Sequence, residues 1–259
     1  MKIRSSQRKL RRLSRKVMRQ GKQVKRRGRG YIPAILLLLL TAPFVVLTPK
    51  EPTGANTGYE RYFEHGEIPT YDGEPFIELA HEPFFRQDGI AGKTEFESYS
   101  ELDQLGRCGV AMANISPALM PTEERGSIGM VKPSGWHTVK YPELIEDNYL
   151  YNRCHLIAFS LAGENANEKN LITGTRYFNI QGMQVFERKV ADYIRQTGNH
   201  VLYRVTPVFE HQNLVATGVI MEAYSVEDKG EGICFNVFVF NVQPGIEIDY
   251  SDGSSQTAE

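Results

Sequence analysis

The segment YLYNRCHLIAF at residues 149–159 combines branched and aromatic side chains with a histidine. This composition is typical of β-strands. The polar segment GENANEKN at 163–170 follows it and indicates a loop. Apolar side chains then recur at helical spacing from about Asn179 to Gln196, and Gly198 follows as a helix terminator. These segments predict a strand, a loop and a helix in that order.

Apolar segments on either side of this region predict further strands. The turn sequences EHQN and EDKGEG separate three of them, which therefore form an antiparallel meander. Pro83 places the first predicted strand at a sheet edge. Few helices and several antiparallel strands predict the α+β class, built on an antiparallel β-sheet. The predicted strands are Phe76–Phe85, Gly106–Ile115, Val201–Phe209, Leu214–Tyr224 and Gly232–Val242.

The N-terminal part differs sharply from the rest of the chain in charge. The net charge of −1 is an average: residues 1–30 hold five Lys, nine Arg and no acidic residue, which leaves 16 basic against 31 acidic residues in the remainder. Residues 31–48 form an uncharged run of 18 residues, close to the roughly 20 residues of a membrane-spanning helix. Because basic flanks stay cytoplasmic, 1–30 is predicted to be cytoplasmic and 31–48 to be an N-terminal transmembrane helix.

Residues 31–48 have two possible roles, a retained anchor or the apolar region of a cleaved signal peptide. No A-x-A site follows the run, which favours the anchor. The remaining chain is therefore expected outside the cell, bound to the cell membrane or, after cleavage, secreted. Composition divides it into an extracellular linker at 49–75, a folded domain at 76–250 and an acidic tail at 251–259.

The three cysteines do not form the disulfide framework of a small secreted protein. No C-x-x-C spacing occurs, so a structural zinc site is not indicated. Cys108 and Cys234 are predicted to be small buried hydrophobic side chains.

His155 lies within an apolar strand, where a histidine is usually a core residue, but its neighbours form a pattern. YNRCHLI at 151–157, NEKNLITGTRYFN at 167–179 and Glu187 together resemble the DNA/RNA non-specific endonuclease family, a branch of the ββα-metal (His-Me finger) nucleases. That family's signature is D-R-G-H, an asparagine on the next helix and a glutamate eight residues later. Within it, the chain resembles the EndA-like DNases of Gram-positive bacteria. The resemblance implies a ββα-metal finger embedded in the sheet and a nuclease domain at 76–250.

The resemblance also implies roles for four residues. His155 would be the general base, which suits an imidazole because its pKa lies near neutral pH. Asn179 would hold Mg²⁺ or Mn²⁺, hard cations that need few protein oxygens. Glu187 would hold metal-bound waters, although a solvated helix residue is an equally open reading, as is a helix N-cap for Asn179. Arg153 would clamp a phosphate or the transition state.

Four further residues are assigned to the surroundings of the site. Asn167 and Asn170 match family positions that shape the site, through hydrogen bonding rather than chemistry. Arg125 and Lys132 are candidates for contacts to the substrate backbone, and ordinary surface charge is the alternative.

The signature is altered at two positions. Asn152 stands where the family usually has Asp, which removes a charge beside the base. Cys154 stands where the family has Gly, and its side chain points to the opposite face of a regular strand, which indicates packing rather than catalysis. We interpret both as variation within a subgroup.

The resulting functional hypothesis is a metal-dependent, sugar-non-specific endonuclease that hydrolyses DNA and RNA and leaves 5′-phosphate ends. Its segment 125–204 carries ten basic and seven acidic residues, while the rest of the exported chain is strongly acidic. A membrane-tethered nucleic-acid-binding protein that does not cleave, as in DNA capture, is the alternative, and a purely structural surface protein is a third. The sequence identifies no inhibitor protein.

Overall fold

A computed structural model describes Phe63, residues 67–86 and residues 94–258. The predicted cytoplasmic segment, the transmembrane helix and most of the linker lie outside these residues and stay predictions. In the described ranges, no helix combines the length and the apolar character needed to cross a bilayer.

A six-stranded antiparallel sheet with few helices forms the domain, which confirms the predicted mixed antiparallel architecture. Its strand order is β1-β8-β7-β6-β3-β2, and two small sheets pair β4 with β5 and β9 with β10. The described strands are β1 Phe76–Ala80, β2 Phe96–Tyr99, β3 Ala111–Ile115, β4 Tyr151–His155, β5 Leu171–Thr175, β6 Val201–Val208, β7 Gly218–Ser225, β8 Cys234–Phe240, β9 Ile246–Ile248 and β10 Ser255–Thr257. The α-helices are α1 Phe159–Ala162 and α2 Gln184–Thr197, and single helical turns occur at Phe84–Arg86 and Glu168–Asn170.

The meander β6-β7-β8 was predicted by the alternating segments and their turns. All eight residues of β6 and of β7 are buried, because both faces of the sheet are covered. Strand β1 lies at the sheet edge and pairs with β8, but it ends at Ala80, so it is shorter than the edge strand predicted over Phe76–Phe85 and does not contain Pro83.

Strands β4 and β5 pair antiparallel and lead directly into the helical segment, so that the three elements form a ββα unit. The strand predicted over 149–159 is shorter than expected, because the chain leaves β4 at His155 and enters α1 at Phe159.

The predicted helix over Asn179–Gln196 begins with a wide turn. Residues Phe178–Met183 are π-helical, and the amide of Gln184 donates to the carbonyl of Asn179. A Cβ at Gly182 would overlap Cγ1 of Val239, so only glycine lets the helix approach the sheet this closely. Regular helix then runs to Gly198, whose left-handed conformation ends it as predicted.

Apolar side chains cover the two faces of the sheet differently. On one face, the ββα unit, including its helix α2, packs over β3, β6, β7 and β8 in the main core. On the other face, Phe63, Ile68 and Tyr71 join a second cluster with Phe238 and Phe240. Part of the segment predicted as a linker therefore packs on the domain.

The C-terminal segment also belongs to the fold. Residues 251–259 have the composition of an acidic tail, yet β10 within them pairs with β9 over three residues. Polar composition was a poor guide here, because a two-stranded hairpin with one face exposed needs few apolar side chains.

Cys234 is exposed, so its prediction as a buried residue was wrong. It begins β8 at the sheet end, and its thiol donates to the carbonyl of His81 at 3.2 Å. Cys108 is buried as predicted, and no cysteine of the described ranges is in a disulfide.

The buried side-chain amide of Asn241 links the ββα unit to the central sheet through hydrogen bonds. Its Oδ1 accepts from the amide of Thr175 at 2.9 Å, and its Nδ2 donates to the carbonyls of Thr173 at 3.1 Å and Ala216 at 2.9 Å. The Asn241 side chain is fully buried, so water cannot replace it.

Asn241→Ala should lower the free energy of unfolding by roughly 3 kcal/mol, because three buried backbone groups lose their partners. Chemical denaturation measures this change. Asn213→Ala makes the same substitution where the side chain has no hydrogen bond to any described residue, and it should leave stability nearly unchanged. Equal stability of the two variants would contradict the role given to Asn241.

Candidate active site

A polar cleft of about 250 Å³ opens where β4 ends and the helical segment begins. It brings together five residues that the sequence singled out, from three parts of the chain. Its lining residues are Arg125, Arg153, His155, Ala158, Phe159, Ser160, Asn179, Gln184 and Glu187.

His155 is the last residue of β4 and is only 8% exposed. Its Nε2 lies 2.7 Å from the carbonyl oxygen of Asn165. Since a carbonyl only accepts, Nε2 must carry the proton, and in the neutral ring Nδ1 keeps its lone pair. The imidazole therefore presents a proton acceptor at Nδ1.

Asn170 fixes the chain directly after His155. Its Oδ1 accepts from the amide of Ile157 at 2.8 Å, its Nδ2 donates to the carbonyl of Ile157 at 3.0 Å, and its own carbonyl accepts from Leu156. Asn167 acts more locally, because its side chain caps the helical turn through the amide of Lys169. Both side chains thus fix the local course of the chain through hydrogen bonds.

Arg125 approaches His155 from the long loop between β3 and β4. Its Nη2 lies 3.4 Å from Nδ1 of His155, at the outer limit of a hydrogen bond. The neighbouring Gly126 lies so close to Asn165 that a Cβ would come within 2.8 Å of its Nδ2. Because Gly126 has no side chain, the loop can lie close to Asn165, and the Arg125 guanidinium can approach the His155 imidazole.

Burial is the main cause that lowers the pKa of His155, and the positive charge of Arg125 lowers it further. The hydrogen bond to Asn165 acts in the opposite direction. The net effect favours the neutral imidazole at neutral pH.

Arg153 lines the cleft, but part of its guanidinium is engaged by the protein itself. Nε donates to the carbonyl of Val131, Nη2 donates to that of Gly129, and the group lies 3.9 Å above the ring of Trp136. Desolvation lowers its pKa from the usual value. Arg153 thus organises the loop at 129–136 as well as the cleft, which the sequence interpretation as a phosphate clamp did not include.

Asn179 and Glu187 reach the cleft from the helical segment. The hydroxyl of Thr175 caps the first turn by accepting from the amide of Phe178, so Asn179 does not serve as the cap. Neither the Asn179 amide nor the Glu187 carboxyl has a hydrogen-bond partner among the described side and main chains. Burial raises the pKa of Glu187 to about 8, and Arg125 and Arg188 oppose this shift.

Lys132 is exposed and does not line the cleft. Conversely, the sequence did not single out Phe159, Ser160 or Gln184, which follow the signature residues without a pattern of their own. Across the described ranges, no group of three His, Cys, Asp or Glu side chains could hold a metal ion.

The two altered signature positions lie on either side of Arg153. Cys154 is 1% exposed, packs against Gly174 and Phe178, and has a strongly raised pKa because it is buried. It is a core residue, as predicted. The Nδ2 of Asn152 is buried and finds no acceptor in the described part of the chain.

The ββα unit thus brings an imidazole acceptor, an amide, a carboxyl and two arginines to one cleft, a set of groups suited to phosphodiester hydrolysis. The chain belongs to the DNA/RNA non-specific endonuclease family, whose model matches residues 88–227. It is therefore a DNA/RNA non-specific endonuclease.

Solved structures of nucleases share this fold. NucA from Streptococcus agalactiae with bound magnesium is 26% identical, with a TM-score of 0.57 over 64% of this chain and 79% of that one. NucA with no metal bound is 24% identical, with a TM-score of 0.63 over 80% and 98%. The Sda1 nuclease with bound zinc is 31% identical, with a TM-score of 0.53 over 63% and 82%.

The pKa of His155 should lie below the ordinary value of 6.5, and Arg125→Ala should raise it because a nearby positive charge is removed. NMR titration of the imidazole measures both values. Lys132→Ala removes an exposed charge of the same loop and should not change the pKa. A value at or above 6.5 in the unaltered protein would refute this account of the site.

Proposed function

We propose that the protein is a Mg²⁺-dependent phosphodiesterase that cleaves DNA and RNA internally, with His155 as the general base. The observation that carries the proposal is the Nδ1 lone pair of His155, directed by the Asn165 carbonyl into the cleft shared with Asn179 and Glu187. Hydrolysis of a phosphodiester needs a water from which a proton is removed as it attacks. Nδ1 is positioned to take that proton.

The lowered pKa of His155 supports this role. A base must be unprotonated when substrate binds, and burial together with Arg125 favours the neutral ring. The proton that Nδ1 gains would then be less strongly held, which favours its return to solvent.

The donor set in the cleft fits a hard divalent cation. Asn179 offers an amide oxygen and Glu187 a carboxyl group, and neither side chain has a hydrogen-bond partner in the described part of the chain. Mg²⁺ keeps several waters and takes one or two protein oxygens, so this sparse set suits it. When bound, Mg²⁺ would supply charge stabilisation to the phosphate and the leaving 3′ oxygen. We propose that Asn179 is the direct ligand and that Glu187 orients bound waters.

Arg125 is the better candidate for direct contact with the scissile phosphate. It is exposed, lies beside His155 and has no carboxylate partner among the described residues. Arg153 offers a second positive charge, but two of its nitrogens already donate to loop carbonyls. A guanidinium suits this contact because its fork matches two phosphate oxygens.

Backbone contacts of this kind carry no base sequence information, so cleavage should not depend on sequence. Substrate binding also has to overcome an acidic surface. Segment 125–204 carries ten basic against seven acidic residues, and the other 24 acidic residues lie outside it, so this weakly basic segment would direct the polyanion to the cleft.

His155→Ala should reduce cleavage of plasmid DNA and of RNA by about 10²–10⁴-fold, because the proton acceptor is lost. The full-length protein is incubated with each nucleic acid, with Mg²⁺ or with EDTA, and the products are separated on gels. His81→Ala replaces a nearly fully exposed histidine and should cleave normally.

Intact substrate with Mg²⁺ present, or equal cleavage by the unaltered and His155→Ala proteins, would rule out the proposed mechanism. Salt-dependent binding of nucleic acid without any cleavage would instead favour the tethered binding protein.

Asn179→Ala should abolish the increase in Tm that Mg²⁺ produces, because the direct ligand is lost while the helix is kept. Thermal melting with and without Mg²⁺ measures this effect. Asn213→Ala should retain the full increase. A Mg²⁺-dependent shift of the same size in Asn179→Ala would place the cation elsewhere.

A further inference from the structure

The C-terminal hairpin, residues 246–257, lies against the turn at 133–137 that carries Trp136. Its two strands pair over three residues, and its tip is closed by hydrogen bonds between Asp249 and Ser254 and from Gly253 to Asp249. The tip thus presents a defined backbone surface rather than a loose chain end.

Three side chains of the 133–151 region bind the hairpin. Nε2 of His137 donates to the carbonyl of Asp252 at 3.0 Å, and the Tyr151 hydroxyl donates to the carbonyl of Gly253 at 2.9 Å. The hydroxyls of Tyr141 and Ser255 are 2.8 Å apart.

The hairpin and the 133–137 turn approach each other most closely where the backbone of Gly253 meets that of Gly135. Gly253 has a φ of 87°, and a Cβ there would overlap the carbonyl oxygen of Gly135. Gly135 also has a positive φ, of 63°, and a Cβ on it would come within 2.5 Å of Cγ2 of Val215. Only glycine allows this contact at 253, because any side chain would push the turn away.

Hydrogen bonds also fix the 133–137 turn on its other side, where Ser134 contacts Leu214 and Thr173. The Ser134 hydroxyl donates to the carbonyl of Leu214 at 2.6 Å, and the Thr173 hydroxyl donates to that of Ser134 at 2.8 Å. The segment at 214–215 is itself bonded to Tyr250 and Ser251 of the hairpin. The turn is therefore enclosed between β5, segment 214–215 and the hairpin tip.

Trp136 connects this turn to the catalytic cleft. The Arg153 guanidinium rests on its ring, and the same guanidinium binds the carbonyls of Gly129 and Val131. These residues belong to the loop that brings Arg125 to His155.

We propose that the C-terminal hairpin is a positioning element of the nuclease: the Gly253 backbone fixes the 133–137 turn and, through Trp136 and Arg153, the loop that presents Arg125 to the substrate. The inference rests on the proposed function of the cleft. The hydrogen bonds that residues 249–255 make outside the hairpin go to residues 137, 141, 151, 214, 215 and 241, and none goes to residues 178–197, which carry Asn179 and Glu187. The hairpin should therefore affect substrate binding and leave the metal ligands in place.

Two full-length variants test this proposal against a matched control. Gly253→Ala displaces the Gly135 backbone, and His137→Ala removes the bond to Asp252. Gln256→Ala alters an exposed hairpin residue whose side chain binds only Glu247. Initial rates of DNA cleavage below Tm give KM, kcat and the Mg²⁺ concentration for half-maximal activity.

Gly253→Ala should raise KM for DNA on the order of tenfold, and His137→Ala should raise it by a smaller factor, because the phosphate-binding loop is displaced. The half-maximal Mg²⁺ concentration should not change in either variant. Gln256→Ala should match the unaltered protein.

An unaltered protein that fails to cleave DNA with Mg²⁺ would refute the proposed function itself. If the unaltered protein cleaves, an unchanged KM in both folded variants would overturn the positioning role. A parallel rise in the Mg²⁺ requirement would also overturn it, since that result indicates general loosening. If Gly253→Ala does not fold, the KM and the Mg²⁺ requirement of His137→Ala alone test the positioning role.

Discussion

The buried side chain of Asn241 is the interaction on which the placement of the active site depends. Within the described ranges, strand β5 pairs with β4 alone, and alternating backbone groups of an antiparallel strand point away from that partner. Asn241 supplies a donor and an acceptor to the groups of Thr173 and Thr175, and its second N–H reaches the central sheet at Ala216. One amide thus substitutes for a neighbouring strand and sets the position of the unit that carries His155.

Much of the fold could be predicted because it is encoded in local periodicity. The meander and helix α2 follow from alternating or helical spacing and from Gly198. The bend after His155 could not be predicted, because Asn170, fifteen residues away, fixes it. The C-terminal hairpin was missed for a related reason: its stability comes from contacts with distant residues such as Tyr151, not from its own composition.

The candidate site was predictable to the extent that it lies within the ββα unit. His155, Asn179 and Glu187 occur at fixed spacing in that unit, so a signature can record them. Arg125 was named as a candidate for substrate contact, but it comes from a loop without periodicity, so its place beside His155 could not be predicted. The close contact of Gly126 with Asn165 accompanies this approach. The stacking of Arg153 on Trp136 also joins residues of two segments that share no pattern.

Burial has opposite consequences for the two titratable groups of the cleft. It favours the neutral form of His155, as the proposed role of a base requires, but it also favours the neutral form of Glu187, whose pKa rises to about 8. Arg125 acts on both, since its charge disfavours the imidazolium and favours the carboxylate. A divalent cation beside Glu187 would have the same two effects as Arg125: it would disfavour the imidazolium form of His155 and favour the carboxylate form of Glu187. In the proposed mechanism, the charge state suited to hydrolysis is thus one that a positive charge in the cleft stabilises, so the local charge of the cleft matters more than the net charge of the acidic domain.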